Sequence, residues 1–137
     1  MPEEKNLQLE IVTPRGTVFS DRVEAVRAPG VDGYFGVLPG HTPLMTALQI
    51  GEIRVRRAGE VVRFATTGGF AEVLPNRVII LAETAEREDQ IDVARALAAK
   101  ERAEKRLRER GPDVDVDRAR AALARATNRL RVAGQLE

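Results

Sequence analysis

Cysteine and tryptophan are absent from this 137-residue chain, and its whole aromatic complement is Phe19, Tyr34, Phe35, Phe64 and Phe70. Without cysteine there are no disulfides, thiolate metal sites or cysteine nucleophiles. The single histidine, His41, stands between Gly40 and Thr42 with no triad pattern near it, and reads as a structural or interface residue. Neither a GxxxxGK[ST] loop nor a GxGxxG is present, so any nucleotide is held by another device. No apolar run is long enough to span a bilayer, and the Met-Pro-Glu-Glu start carries no signal-peptide pattern. A soluble, cytosolic chain without direct membrane insertion is therefore expected. Charge of one sign is also lacking: 22 Lys+Arg against 21 Asp+Glu leave +1, so no global field advertises nucleic acid.

What is present divides in two. Residues 1–89 hold ten Lys/Arg against thirteen Asp/Glu, and residues 90–137 hold twelve against eight. In the first part apolar residues alternate with polar ones, as in Leu7-Gln8-Leu9-Glu10-Ile11, which signals half-buried strands. Ala58-Gly59-Glu60 and Pro75-Asn76 separate strand pairs as hairpins. Pro29 to Pro43 carries four glycines and three prolines and is expected as a loop of fixed shape. Gly68-Gly69-Phe70 marks a bulge or a close backbone approach. Alternation ends near Leu81-Ala82, and Glu83 to Asp89 is expected as an acidic loop.

Beyond it the period changes to three and four. Ala96, Ala99, Ala103 and Leu107 form one helical stripe, with Asp92 at the N-cap and Arg108, Glu109 and Arg110 closing the helix. Gly111-Pro112 stops it, and Asp113, Asp115 and Asp117 offer caps for a second helix. The second stripe is Ala119, Ala122, Leu123, Ala126, Leu130 and Ala133. The three alternating aspartates lack the glycine and the late glutamate of a calcium loop, so capping is the reading and no metal site is assigned. The expected fold is α+β: an N-terminal antiparallel β-sandwich over 1–88, then a C-terminal antiparallel two-helix hairpin over 89–137. Its alanine stripes bury little, so the hairpin is either a marginal element that docks, opens or extends, or an ordinary one that never moves.

Arg95 and Arg102 lie two turns apart on one helix face, and Arg125 and Arg129 four apart on the other. Folding back near residue 113 brings the two pairs alongside each other. Four converging guanidiniums suit an anion such as a triphosphate; the alternative is a solvated basic face with i,i+4 partners such as Glu101 and Lys105.

Gly36-Val37-Leu38-Pro39-Gly40-His41-Thr42-Pro43-Leu44, Gly68-Gly69-Phe70, Leu81-Ala82-Glu83 and Asn128-Arg129-Leu130-Arg131-Val132 appear in an order and spacing that strongly resembles the epsilon subunits of bacterial F-type, proton-translocating ATP synthases. The resemblance covers essentially the whole chain. It implies a non-catalytic rotor subunit of the central stalk, peripheral to the cytoplasmic face of the membrane, with the gamma subunit, the c-subunit ring and the alpha and beta subunits as partners. The sandwich would couple proton-driven rotation to ATP synthesis, with the Tyr34–His41 loop toward the c-ring; some members carry a carboxylate where this chain has Tyr34. The hairpin would be regulatory, permitting hydrolysis when folded and blocking it when extended along gamma. In some bacterial members the folded hairpin binds ATP through Ile/Leu-Asp-x-x-Arg-Ala, which Ile91-Asp92-Val93-Ala94-Arg95-Ala96 matches. The further ligands of those members fall on Glu86, Arg102, Arg125 and Arg129. The resemblance thus implies an ATP site of Glu86, Ile91, Asp92, Arg95, Ala96, Arg102, Arg125 and Arg129, with no catalytic residue and no metal ligand. The alternative is a purely mechanical coupling subunit without a nucleotide site.

Overall fold

Leu7, Leu9 and Ile11 are fully buried while Gln8 and Glu10 between them are only half-buried, so the alternation of the first strand tells which side faces the core. The computed structural model describes residues 6–109 and 111–136. The Met-Pro-Glu-Glu start and Arg110 lie outside them. The chain separates into two compact units, one ending at Arg87 and the other starting at Glu88.

The first unit holds ten strands: β1 (Leu7–Thr13), β2 (Gly16–Val23), β3 (Ala25–Gly30), β4 (Gly33–Val37), β5 (Leu44–Leu48), β6 (Gly51–Arg57), β7 (Glu60–Thr66), β8 (Gly69–Leu74), β9 (Arg77–Ala82) and β10 (Ala85–Arg87). They hydrogen-bond in the order β10-β7-β6-β3-β5-β8-β9-β1-β2, with β4 on β3. Every pairing is antiparallel except β1 with β9, which run parallel from Gln8–Arg77 to Val12–Leu81. The ribbon narrows to one residue pair, Gly30–Leu48, between β3 and β5. It folds back there into two layers. Phe19 on β2 meets Phe64 on β7 edge-to-face at 5.8 Å, although those strands are far apart in the hydrogen-bonded order. On the rim, Arg57 donates to Asp21 at 2.9 Å. The Arg22 amide first, and then Arg57, hold the Asp21 carboxyl below its usual range, so this clasp weakens only as acid titrates through that lowered value. Between the layers Leu7, Leu9, Ile11, Ile53, Val55, Phe64, Val73 and Ile80 are essentially inaccessible. The expected β-sandwich is the observed one.

Three expectations need correction. The glycine- and proline-rich stretch is not all loop, because Gly33–Val37 forms β4 against β3 through Val26–Val37 and Ala28–Phe35. Gly33, at φ +127°, makes the tight return that lets the hairpin form. The acidic stretch is not all loop either: Ala85–Arg87 adds to the edge of β7, and Glu88–Gln90 is one 3-10 turn. A three-residue edge strand is made by backbone bonds and has no room for an alternation signal. The short strand β5 was not anticipated, since Met45 is exposed and its flanks are half-buried.

Of the two readings for Gly68-Gly69, close approach is the observed one. A Cβ on Gly69, at φ +144°, would collide with the Leu81 carbonyl and stand 2.8 Å from Ala82 Cα. Gly69→Ala is therefore expected to destabilise the sandwich by roughly 3 kcal/mol, read as a lower midpoint in urea with the slope unchanged.

Candidate functional site: the helical hairpin

The second unit is two helices of 17 residues each, α1 (Val93–Glu109) and α2 (Val116–Val132), packed on one another. Its local determinants are caps. The Asp92 carboxylate accepts the Arg95 amide at 3.0 Å, and its carbonyl accepts the Ala96 amide at 3.0 Å, so Asp92 is the N-cap of α1. Of the three aspartates before α2 the structure uses Asp115, which accepts from the Arg118 amide at 3.0 Å. At the far end Gln135 donates to the Leu130 carbonyl and Gly134 to that of Arg131, the paired bonds of a glycine-terminated helix, with Gly134 at φ +81°.

The buried alanines are spaced by seven on both helices: Ala96 and Ala103 on α1, Ala119 and Ala126 on α2. Such spacing keeps them on one side of each helix, and a methyl side chain permits axes to approach to about 8 Å. Ala99, Leu107, Ala122, Leu123 and Ala133 of the expected stripes are half-buried. Sequence periodicity missed Asn128 and Val132, both buried on a side of α2 away from the Ala126–Leu130 stripe. Asn128 is polar and its side is opposite that stripe, so amphipathic spacing gave no signal for it; it has a partner for its polar groups.

The residues proposed for a site divide between the units. Glu86 is half-buried on β10, opposite Ala65 of β7, and belongs to the sandwich unit. Ile91 is buried just ahead of the Asp92 cap, and Ala96 is buried one turn into α1. Arg95 and Arg102 are exposed on α1, while Arg125 and Arg129 are half-buried on α2. Because the two helices are antiparallel neighbours, the first half of α1 runs beside the second half of α2. That sets the Arg95/Arg102 pair and the Arg125/Arg129 pair along the same part of the hairpin.

Ion pairing within the helices goes to the lysines. Lys100 pairs with Glu104 at 3.8 Å and Lys105 with Glu109 at 4.0 Å, both i,i+4. Among the described residues no carboxylate pairs with Arg95, Arg102 or Arg125, whereas Arg129 is engaged. The expected Glu101–Lys105 partnership is not formed; Lys105 pairs with Glu109 instead. What the hairpin offers chemically is forked donors held on rigid helices, suited to phosphate or carboxylate oxygens. No group of three or more potential metal ligands occurs among the described residues. No helix there is long and apolar enough to cross a membrane.

Comparison with known proteins follows the same division. Residues 6–88 match the family described as ATP synthase, Delta/Epsilon chain, beta-sandwich domain. Residues 89–134 match ATP synthase, Delta/Epsilon chain, long alpha-helix domain. The chain is 53% identical over 107 residues to an ATP synthase epsilon chain of Desulforamulus reducens, covering 78% of this chain and 81% of that one. It is 55% identical over 104 residues to one of Koribacter versatilis, covering 76% and 73%. Its fold is similar to a chain in the Euglena gracilis mitochondrial ATP synthase structure, with TM-score 0.70 and 22% identity over 96% of this chain and 79% of the other.

If Asp92 holds the first turn of α1, Asp92→Ala should cost about 1 kcal/mol locally. Amide exchange at Arg95 and Ala96 should quicken several-fold, while exchange in α2 beyond Ala126 stays as in the parent.

Proposed function

The chain belongs to the epsilon-subunit family of F-type ATP synthases, and from that premise we propose that it is a rotor subunit whose helical hairpin is a nucleotide-sensing brake on ATP hydrolysis. As an epsilon subunit it is a central-stalk component and not the catalytic one. In this reading the sandwich couples rotation to synthesis by joining the gamma subunit and the c-subunit ring, at the cytoplasmic face of the membrane. The hairpin binds ATP when folded. When released it extends toward the alpha and beta subunits, where α2, with five arginines against one aspartate, meets acidic segments of the head and stops hydrolysis.

The observation that carries the nucleotide reading is the placement of Arg95, Arg102 and Arg125 on adjoining stretches of two antiparallel helices with no carboxylate paired to them among the described residues. Unpaired guanidiniums on adjoining helices repel, and a triphosphate relieves that repulsion. Arg95, Arg102, Arg125 and Arg129 take the phosphates, Asp92 caps α1 or orients the nucleotide, and the backbone at Ile91 and Ala96 reads the base. A ligand confined to the folded form stabilises it by RT ln(1 + [L]/Kd), about 2.7 kcal/mol at a hundred times Kd. That is sufficient to bias a hairpin built on alanine.

Support for docking by the sandwich comes from its outer surface. Phe70 and Leu81 are cross-strand partners on β8 and β9, 41% and 55% exposed, and Val12 on β1 continues their row. Met45 on β5 lies 63% exposed on the same side. An apolar row of this kind on a folded sheet marks a protein contact.

Calorimetric titration with ATP and ADP, with and without Mg²⁺, tests the sensor. Saturable ATP binding to the full chain, lost in Arg125→Ala, is the expected result. Absence of heat and of any thermal shift up to millimolar ATP would leave the purely mechanical subunit. Separately, Leu81→Asp should remove the chain from co-purified gamma subunit while leaving its melting temperature within a few degrees of the parent.

A further inference from the structure

The outer face of the layer built from β3, β6 and β7 carries three guanidiniums in one line. Arg27 lies opposite Arg54 across β3 and β6, and Arg54 lies opposite Arg63 across β6 and β7. Strands are spaced by about 4.8 Å, so the three stand within roughly 10 Å of one another at the backbone. Arg56, two residues beyond Arg54, faces the same way. Like charges directly opposite in a sheet are destabilising, and this arrangement repeats the penalty on consecutive strand pairs.

Local compensation is partial. Glu52, in the neighbouring row with Ala65 and Glu86, accepts from Arg54 Nε at 2.9 Å. The Arg27 guanidinium lies 4.2 Å from the centre of the Tyr34 ring. Tyr34 is itself fixed, its hydroxyl accepting the Glu52 amide at 3.0 Å. Gly51 leaves room for it, since a Cβ there would stand 2.7 Å from that hydroxyl. Among the described residues no carboxylate pairs with Arg27, Arg56 or Arg63. The stack and the Arg54–Glu52 pair hold two of the cations in place without neutralising the row.

We propose that this arginine row is a docking surface for an acidic α-helix of a neighbouring subunit in the assembled synthase, an inference that rests on the stalk-subunit reading above. Carboxylates at i, i+3 or i+4, and i+7 of a helix recur every 5–6 Å or so along one side, close to the strand spacing, so a helix lying across the strands meets successive arginines. Forked guanidiniums take carboxylates in two-pronged fashion, which fixes register as well as attraction. Anionic lipid is the poorer occupant. Polybasic lipid-binding segments gather about four to eight cations on flexible chain or amphipathic helix, whereas this row is short, rigid and part of a chain of net charge +1.

The test uses the full chain added back to its cognate synthase depleted of this subunit. Arg27→Glu with Arg63→Glu should weaken retention about tenfold at low salt, with the difference shrinking at high salt. Arg63→Gln, which removes charge without adding repulsion, should weaken it less and covers the case of a reversal that fails to fold. Arg54→Lys and Arg63→Lys, treated with a carbodiimide in the complex, should form zero-length crosslinks to glutamates or aspartates on one helical peptide of another subunit. Unchanged retention with crosslinks only to Glu52 would overturn the proposal. So would unchanged retention together with loss of binding to phosphatidylglycerol vesicles, which assigns the row to lipid. If the parent chain itself fails to re-enter the complex, the stalk-subunit reading fails and takes this inference with it; parent re-entry with unaffected variants fails this inference alone.

Discussion

The parallel pairing of β1 with β9 is the contact on which the sandwich depends. It joins residues near the start of the unit to residues some seventy positions later, and it places β1 between β9 and β2 with Leu7, Leu9 and Ile11 entirely out of water. Local hairpins can make β6–β7 and β8–β9 unaided, because their turns are short. None of them closes the second layer. Only when the first strand is captured along β9 does the inner row of Leu9, Ile11, Val78 and Ile80 face Phe64, Ile53 and Val55 of the other layer. The edge-to-face contact of Phe19 with Phe64 depends on that closure, since β2 is carried into place by β1.

The two units rest on different energetics. The sandwich buries branched and aromatic side chains, each contributing about 1.5–3 kcal/mol. The hairpin buries Ala96, Ala103, Ala119 and Ala126, whose methyl groups give roughly 0.8 kcal/mol apiece against a backbone ordering cost of about 1–2 kcal/mol per residue. Alanine's helix propensity, the Asp92 and Asp115 caps and the Gly134 terminus reduce that deficit without removing it. A helical pair so poised is easily biased by what binds it, which is what the brake reading requires.

Charge is arranged by unit as well as by sign. The near-neutral total conceals a basic hairpin and, on the sandwich, a basic row on one outer face and an apolar row on the other. Two unlike outer faces on one small sandwich suit a subunit with more than one neighbour, one met by burial and the other by ion pairing.

From sequence alone the alternation of Leu7 to Ile11, the turn residues at Ala58-Gly59 and Pro75-Asn76, the glycine pair at Gly68-Gly69 and the Asp92 cap were legible, because each is a local rule of backbone geometry. The residues of the candidate hairpin site were named from sequence, the four arginines through helical spacing and Glu86, Ile91 and Ala96 through family resemblance. Other features needed the tertiary fold. Strand β4 was hidden by its own glycines and by the prolines on either side of it, and β10 by its brevity; both exist because a neighbouring strand supplies hydrogen-bond partners. Asn128 and Val132, four residues apart, are buried on a side that the alanine stripe does not mark, so their burial follows from packing and not from that pattern. Most plainly, Arg27, Arg54 and Arg63 are scattered across thirty-odd positions and look like ordinary surface charges. Their alignment is a consequence of strand register, and register across β3, β6 and β7 is decided by which apolar faces meet in the core.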